Sequence, residues 1–214
     1  MTNTFERFAM SQENNSLLLI EAEYNKLVSH YAEAIKSRNE VEANDYWLRI
    51  QVYEINKDFL SMYNCLKSNQ FYNAWCLLGK IEIKINHVEK NFDLNGLINL
   101  KLIKNMVPNY MSLFPYKWFL SREMVVEKVK CSICDKEIKP RSRCEHKKGK
   151  LYMGKLCANV ITKARLVGVG LVTNPADYYG VVYSKNVDEE YDYTILKKLI
   201  SELKSPFIFF TVNK

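Results

Sequence analysis

The sequence predicts an α+β chain, with a helical bundle over residues 1–114 and a smaller α+β domain over 115–214. Three observations carry this. Apolar residues in the first half recur at helical spacing. Pro108 and Pro115 then interrupt the pattern. Beyond them, short β-branched and aromatic runs flank a cluster of cysteines, and no internal repeat is evident.

The elements follow in order. Residues 14–38 place Leu17, Leu18, Ile20, Tyr24, Leu27, Val28, Tyr31 and Ile35 near helical spacing. Residues 40–66 continue in the same style through Trp47, Ile50, Tyr53, Ile55, Phe59, Tyr63 and Leu66. Residues 69–88 form a third helix on Phe71, Trp75, Leu78, Ile81, Ile85 and Val88. Asp93 is the expected N-cap of a fourth that runs to about Met106. These aromatic stripes are read as core, not as a ligand box. After Pro115, residues 124–129 read as a short strand, and 167–172 and 178–183 as two more, separated by Thr173-Asn174-Pro175. Residues 193–203 read as a helix, 207–212 as a last strand, and Asp188-Glu189-Glu190 as a solvated loop.

Composition bounds the function classes. The 214 residues are 48% hydrophobic and 26% charged, the balance of a globular protein with room for a sizeable core. Residues 1–10 include Glu6 and Arg7 and have no apolar stretch, so no signal peptide is expected. The longest apolar runs are too short to span a bilayer. The expectation is a cytoplasmic protein with no membrane partner. The net charge of +7 is unevenly placed: residues 111–164 carry 13 Lys and Arg against 5 Asp and Glu, whereas 1–110 carry 12 against 13.

The cysteines concentrate chemistry in that basic segment. Cys65 and Cys76 stand apart in helical sequence and read as small apolar side chains. His30 and His87 have no neighbour at ligand spacing. Cys131, Cys134, Cys144 and Cys157 are clustered, with His146 among them. In a reducing compartment such clusters bind metal more often than they form disulfides. Zinc takes four sulfur or imidazole donors in a tetrahedron, and five candidates compete for those places. The preferred set is Cys131, Cys134, His146 and Cys157, with Cys144 as the alternative to His146. Cys131-Ser-Ile-Cys134 makes a knuckle. Residues 143–155 read as a hairpin turning near Lys148-Gly149, and Cys157 opens a helix over 157–166. Knuckle, hairpin and helix together make a treble-clef-like finger. Such a small unit gains its fold from the metal, whose binding contributes roughly 10 kcal/mol or more. A tetrahedron filled by protein leaves no open position for activated water, which points to structure and not catalysis.

The pattern C-x-x-C, C-x-H, G-x-x-Y-x-G-x-x-C, followed by Gly170-Leu-Val-Thr-Asn-Pro175, resembles a zinc-binding module of uncharacterised bacterial and phage-associated proteins. It covers residues 115–185 and implies a zinc fold of bacterial or phage origin, where a role in phage–host conflict would fit. A looser likeness is to the zinc knuckle of HNH endonucleases, matched by Glu145-His146 and Leu156-Cys157. Val160 and Ile161 stand where that family has a second Cys and its metal-binding His, so the catalytic half is missing.

Two partners are expected from the charge and the bundle. Lys136, Lys139, Arg141, Arg143, Lys147, Lys148, Lys150 and Lys155, with Tyr152 for base stacking, suit nucleic acid. Alternatively the near-neutral helices carry a protein partner or a homo-oligomer. The chain shows no phosphate-cradling glycine loop and no nucleophile elbow, and no small-molecule substrate or enzyme activity is expected.

Overall fold

The computed structural model describes residues 14–142, 144–175, 178–183 and 191–202. It is α+β, as predicted. Helices α1 (Asn14–Lys36), α2 (Glu40–Lys67), α3 (Phe71–Glu89) and α4 (Ile98–Met111) come first. Strands β1 (Phe119–Cys131), β2 (Leu151–Tyr152), β3 (Lys155–Leu156) and β4 (Asn159–Val172) follow, then helix α5 (Thr194–Glu202).

Local chemistry sets the helix ends. Asn39 caps α2 by accepting the Glu42 N–H at 3.3 Å, with Glu40 and Glu42 favoured in the first turn by the helix dipole. Arg38 and Asn69 adopt φ of 55° and 57°, which ends one helix and lets the next begin at once. Asp93 caps a short 3-10 turn, Leu94–Gly96, rather than α4 itself. Helix α4 runs past Pro108 to Met111, further than expected. The last turn is held by the Ser112 N–H on the Pro108 carbonyl at 2.9 Å and by Tyr110 packing edge-on to Phe59.

The stripes of α2, α3 and α4 do form the core, but that of α1 does not: Tyr24, Leu27 and Tyr31 are half-buried and Val28 is exposed. Trp75 sits at its centre, with the rings of Phe114, Tyr116, Phe119 and Tyr178 5.1–5.7 Å away and its Nε1–H on the Tyr178 carbonyl at 2.8 Å. Tyr193 stacks on Phe71 at 4.1 Å, and its hydroxyl meets that of Tyr116 at 3.0 Å. Leu196 of α5 is fully buried here. Residues on both sides of position 114 therefore fill one core. Gly79 on α3 permits the closest of these approaches: a Cβ there would come 2.4 Å from the Tyr178 ring.

Strands β1 and β4 pair antiparallel along their full length as a two-stranded ribbon roughly 40 Å long. Its register shifts after Glu123, Val126 and Lys128 mark bulges, which add twist. One end, at Phe119 and Val172, is rooted in the core. The other ends at Cys131 opposite Asn159.

Three expectations are corrected. Residues 157–166 are not a helix: from Asn159 they are strand, continuous with 167–172. The apolar spacing of 157–166 fits either period. Pairing with β1 and the β-branched Val160, Ile161 and Thr162 decide for strand. The short strand at 124–129 is the middle of the 13-residue β1. Residues 178–183 are a turn with a single bridge, Val181 to Phe119, because Tyr178 is drawn onto α3. The expected strand 207–212 and acidic loop 188–190 lie outside the described residues.

Candidate metal centre

The candidate metal-binding segment is built on the far end of the ribbon. The chain leaves β1 at Cys131 and turns back immediately: the Asp135 N–H reaches the Cys131 carbonyl at 2.9 Å, and the Cys131 N–H reaches the Lys136 carbonyl at 3.0 Å. Asp135 takes φ of 57° to close this knuckle. The Ile133 N–H points at the Cys131 Sγ, 3.4 Å away. The returning strand is tied alongside. Ser132 receives the Ala158 N–H on its hydroxyl at 2.8 Å and donates its own N–H to the Ala158 carbonyl at 3.0 Å.

The second wall comes from the hairpin β2–β3. Its turn lies at Met153 and Gly154, both at positive φ, and not at Lys148-Gly149. The chain also turns at 147–150, where Gly149 and Lys150 exchange backbone bonds with Cys157, each 2.8 Å. This second turn carries Cys157 to within 3.9 Å of Cys131, sulfur to sulfur.

The donor atoms of Cys131, Cys134, Cys144 and His146 all lie within 4.8 Å of one another. Ligands of a tetrahedral zinc with bonds near 2.3 Å stand about 3.7 Å apart, so the cluster is close to coordinating dimensions. His146 Nδ1 is buried with no hydrogen-bond partner. A buried, unpaired imidazole nitrogen is costly, and a metal ion at the centre of this group would satisfy it. The ring is held edge-on to Tyr152 at 4.6 Å, and the Tyr152 hydroxyl receives the Lys147 N–H at 2.9 Å. The residues present thus fit a metal of zinc type.

Thiol ionisation fits the same reading. Burial pushes the Cys131 thiol up. The N–H groups of Ile133 and Cys134 and the thiols of Cys144 and Cys134 outweigh it, and hold Cys131 down at about 6. Cys157 goes the other way. Burial first, then the thiol and charge of Cys131, push it up to about 11. Burial and Cys131 also raise Cys144. Cys131 is thus the thiol most readily ionised, and burial holds Cys144 and Cys157 back. A bound divalent cation would favour the thiolate form of Cys144 and Cys157.

Four of the five predicted donors form the close group, and it differs from the preferred set: Cys144 and His146 both belong to it, whereas Cys157 lies outside it and approaches Cys131 alone within 3.9 Å, sulfur to sulfur. Lys136, Arg141, Lys147, Lys148 and Lys155 are at the surface around them. Lys139 pairs with Glu137 at 3.3 Å. The Lys150 ammonium donates to the Lys90 carbonyl. Tyr152 is half-buried against His146, and Arg143 lies outside the described residues. Val160 and Ile161 are exposed on β4. Cys65 and Cys76 are half-buried on α2 and α3.

Sequence reasoning missed the residues that seat the module on the helices. Asn91, just past the end of α3, donates to the Gly149 carbonyl at 2.8 Å and accepts the Leu151 N–H at 3.0 Å. Asn44 on α2 accepts the Gly154 N–H at 2.8 Å, and the Tyr31 hydroxyl on α1 donates to the Gly154 carbonyl at 3.0 Å. Glu40 accepts the Met153 N–H at 3.2 Å. The one sequence signal was Gly154, whose φ of 72° and closeness to the Tyr31 ring leave no room for a side chain.

Among the described residues, no helix is long and apolar enough to cross a membrane. No family model matches the chain, and no curated protein or solved structure is significantly similar to it.

Proposed function

We propose that this is a non-catalytic zinc-binding protein of the cytoplasm that holds an acidic partner, nucleic acid, on the basic surface of its metal module. The observation that carries the reading is a pairing. A Cys and His cluster of coordinating dimensions lies in the segment where the chain's positive charge is concentrated. Lys136, Arg141, Lys147, Lys148 and Lys155 lie at its surface. Clustered cations gain affinity for phosphates by releasing condensed counterions. With five protein donors for four places, the metal keeps no position for activated water, which supports a structural role. Thiolate ligands call for a reducing compartment.

A mobility-shift titration across salt concentrations tests the partner. Short single-stranded and duplex oligonucleotides are the probes. Binding should weaken steeply between about 50 and 200 mM salt. Replacing Lys147 and Lys148 with Ala should lower the log–log salt slope by about 2, one for each phosphate no longer neutralised. No binding at the lowest salt contradicts the proposal.

A further inference from the structure

The ribbon carries its side chains the wrong way round for a protein that leaves it bare. Near its root, β4 alternates between half-buried Gly168, Gly170 and Val172 and exposed Val169 and Leu171. Glycines occupy the two inner positions, where the Glu123 carboxylate lies over them: a Cβ on Gly170 would stand 3.1 Å from it. Large apolar side chains point outward at the root, and beyond the bulge at Glu123 the side chains of Val125 and Val167 are exposed as well. Side chains alternate along a strand, so Leu120, Arg122, Met124 and Val126 of β1 share one face. Their cross-strand partners continue it: Leu171, Val169, Leu166 and Ala164. Leu120, Met124, Val126, Leu166, Val169 and Leu171 are between 44% and 60% exposed, and Arg122 is the one charged residue at these positions.

An antiparallel sheet with one solvated face normally sets polar residues outward. A two-stranded ribbon alone is marginally stable. Six half-exposed aliphatic side chains make a patch on the order of 500 Å², which is large for a monomer's surface. A face with a single cation offers little to phosphates, so the nucleic-acid reading leaves it unexplained. Two such faces pressed together would remove about 1,000 Å² from water, enough for a specific interface. A twofold pairing of identical faces is also the commonest way in which a chain covers such a patch.

We propose that the outward face of the β1–β4 ribbon is a homodimer interface, covered by the same face of a second copy. The proposal is independent of the metal and of nucleic acid. Light scattering on the full-length, metal-loaded protein tests it. The wild type should have a mass near twice 25.2 kDa. Val169→Lys with Leu171→Lys should halve that mass while zinc content and circular dichroism stay as in the wild type. Should that double variant not fold, Met124→Gln with Val126→Gln on the other strand must give the same monomer. Val41→Lys, at an 80% exposed position on α2, should remain dimeric. A wild type that is monomeric at tens of micromolar overturns the proposal, and would assign the cover to another occupant such as the chain's own apolar residues 206–212. A dimer that survives the folded ribbon variants overturns it equally.

Discussion

Cys131 is the pivot of the metal cluster. It is 1% exposed, takes the Ile133 N–H, and lies close to Cys134, Cys144, His146 and Cys157. The knuckle thiols have no substitute, whereas Cys144, His146 and Cys157 are three donors for the two remaining places. Replacing Cys131 or Cys134 with Ser should abolish zinc binding. One of Cys144→Ser, His146→Ala and Cys157→Ser should retain one zinc per chain. Metal analysis of the five purified variants checks this. The ligand types were readable because C-x-x-C and C-x-H are local patterns, and local spacing constrains geometry. Which donor is spare was not readable. It depends on Gly149 and Lys150 carrying Cys157 beside Cys131, a meeting of segments 26 residues apart.

At the scale of elements, two close approaches join the parts. The first is the hairpin β2–β3 on α1 and α2, through Gly154. Gly154→Ala places a methyl against the Tyr31 ring at a φ of 72° and should cost about 1–3 kcal/mol. Tyr31→Phe, which loses the hydrogen bond alone, should cost about 1 kcal/mol. Chemical denaturation measures both. The second is Tyr178 on α3. Burial and its hydrogen bond to Glu82 raise its hydroxyl to about 12. In the unfolded chain it ionises near 10. Between these values the folded state binds more protons than the unfolded one, so stability should fall as pH rises from about 10 to 12. The same denaturation series on Tyr178→Phe should show a shallower loss. The four N-terminal helices were legible from their period, since each carries an apolar stripe. The ribbon was not. Residues 157–166 carry apolar groups at spacings that serve helix or strand, and only pairing with β1, earlier in the chain, resolves the ambiguity.

For the whole molecule, the chain closes on itself twice. The ribbon leaves the helical core at Phe119, reaches the metal module at Cys131, and returns to the core at Val172. The module meanwhile rests on the same helical bundle through Asn44 and Asn91. A composition-based reading divides the chain near residue 114, because charge and periodicity change there. It could not foresee that Tyr116, Phe119, Tyr193 and Leu196 complete the core around Trp75 and Phe71. Aromatic packing orders the near end of the ribbon, and on the proposed reading a bound metal orders the far end. Hydrogen exchange on the purified protein, before and after a strong chelator, tests that division directly. One zinc per chain is the predicted content. Its removal should speed exchange across residues 131–159 and leave the buried faces of α2 and α3 protected. Protein that contains no metal, with unchanged protection of 131–159 under the chelator, would contradict it.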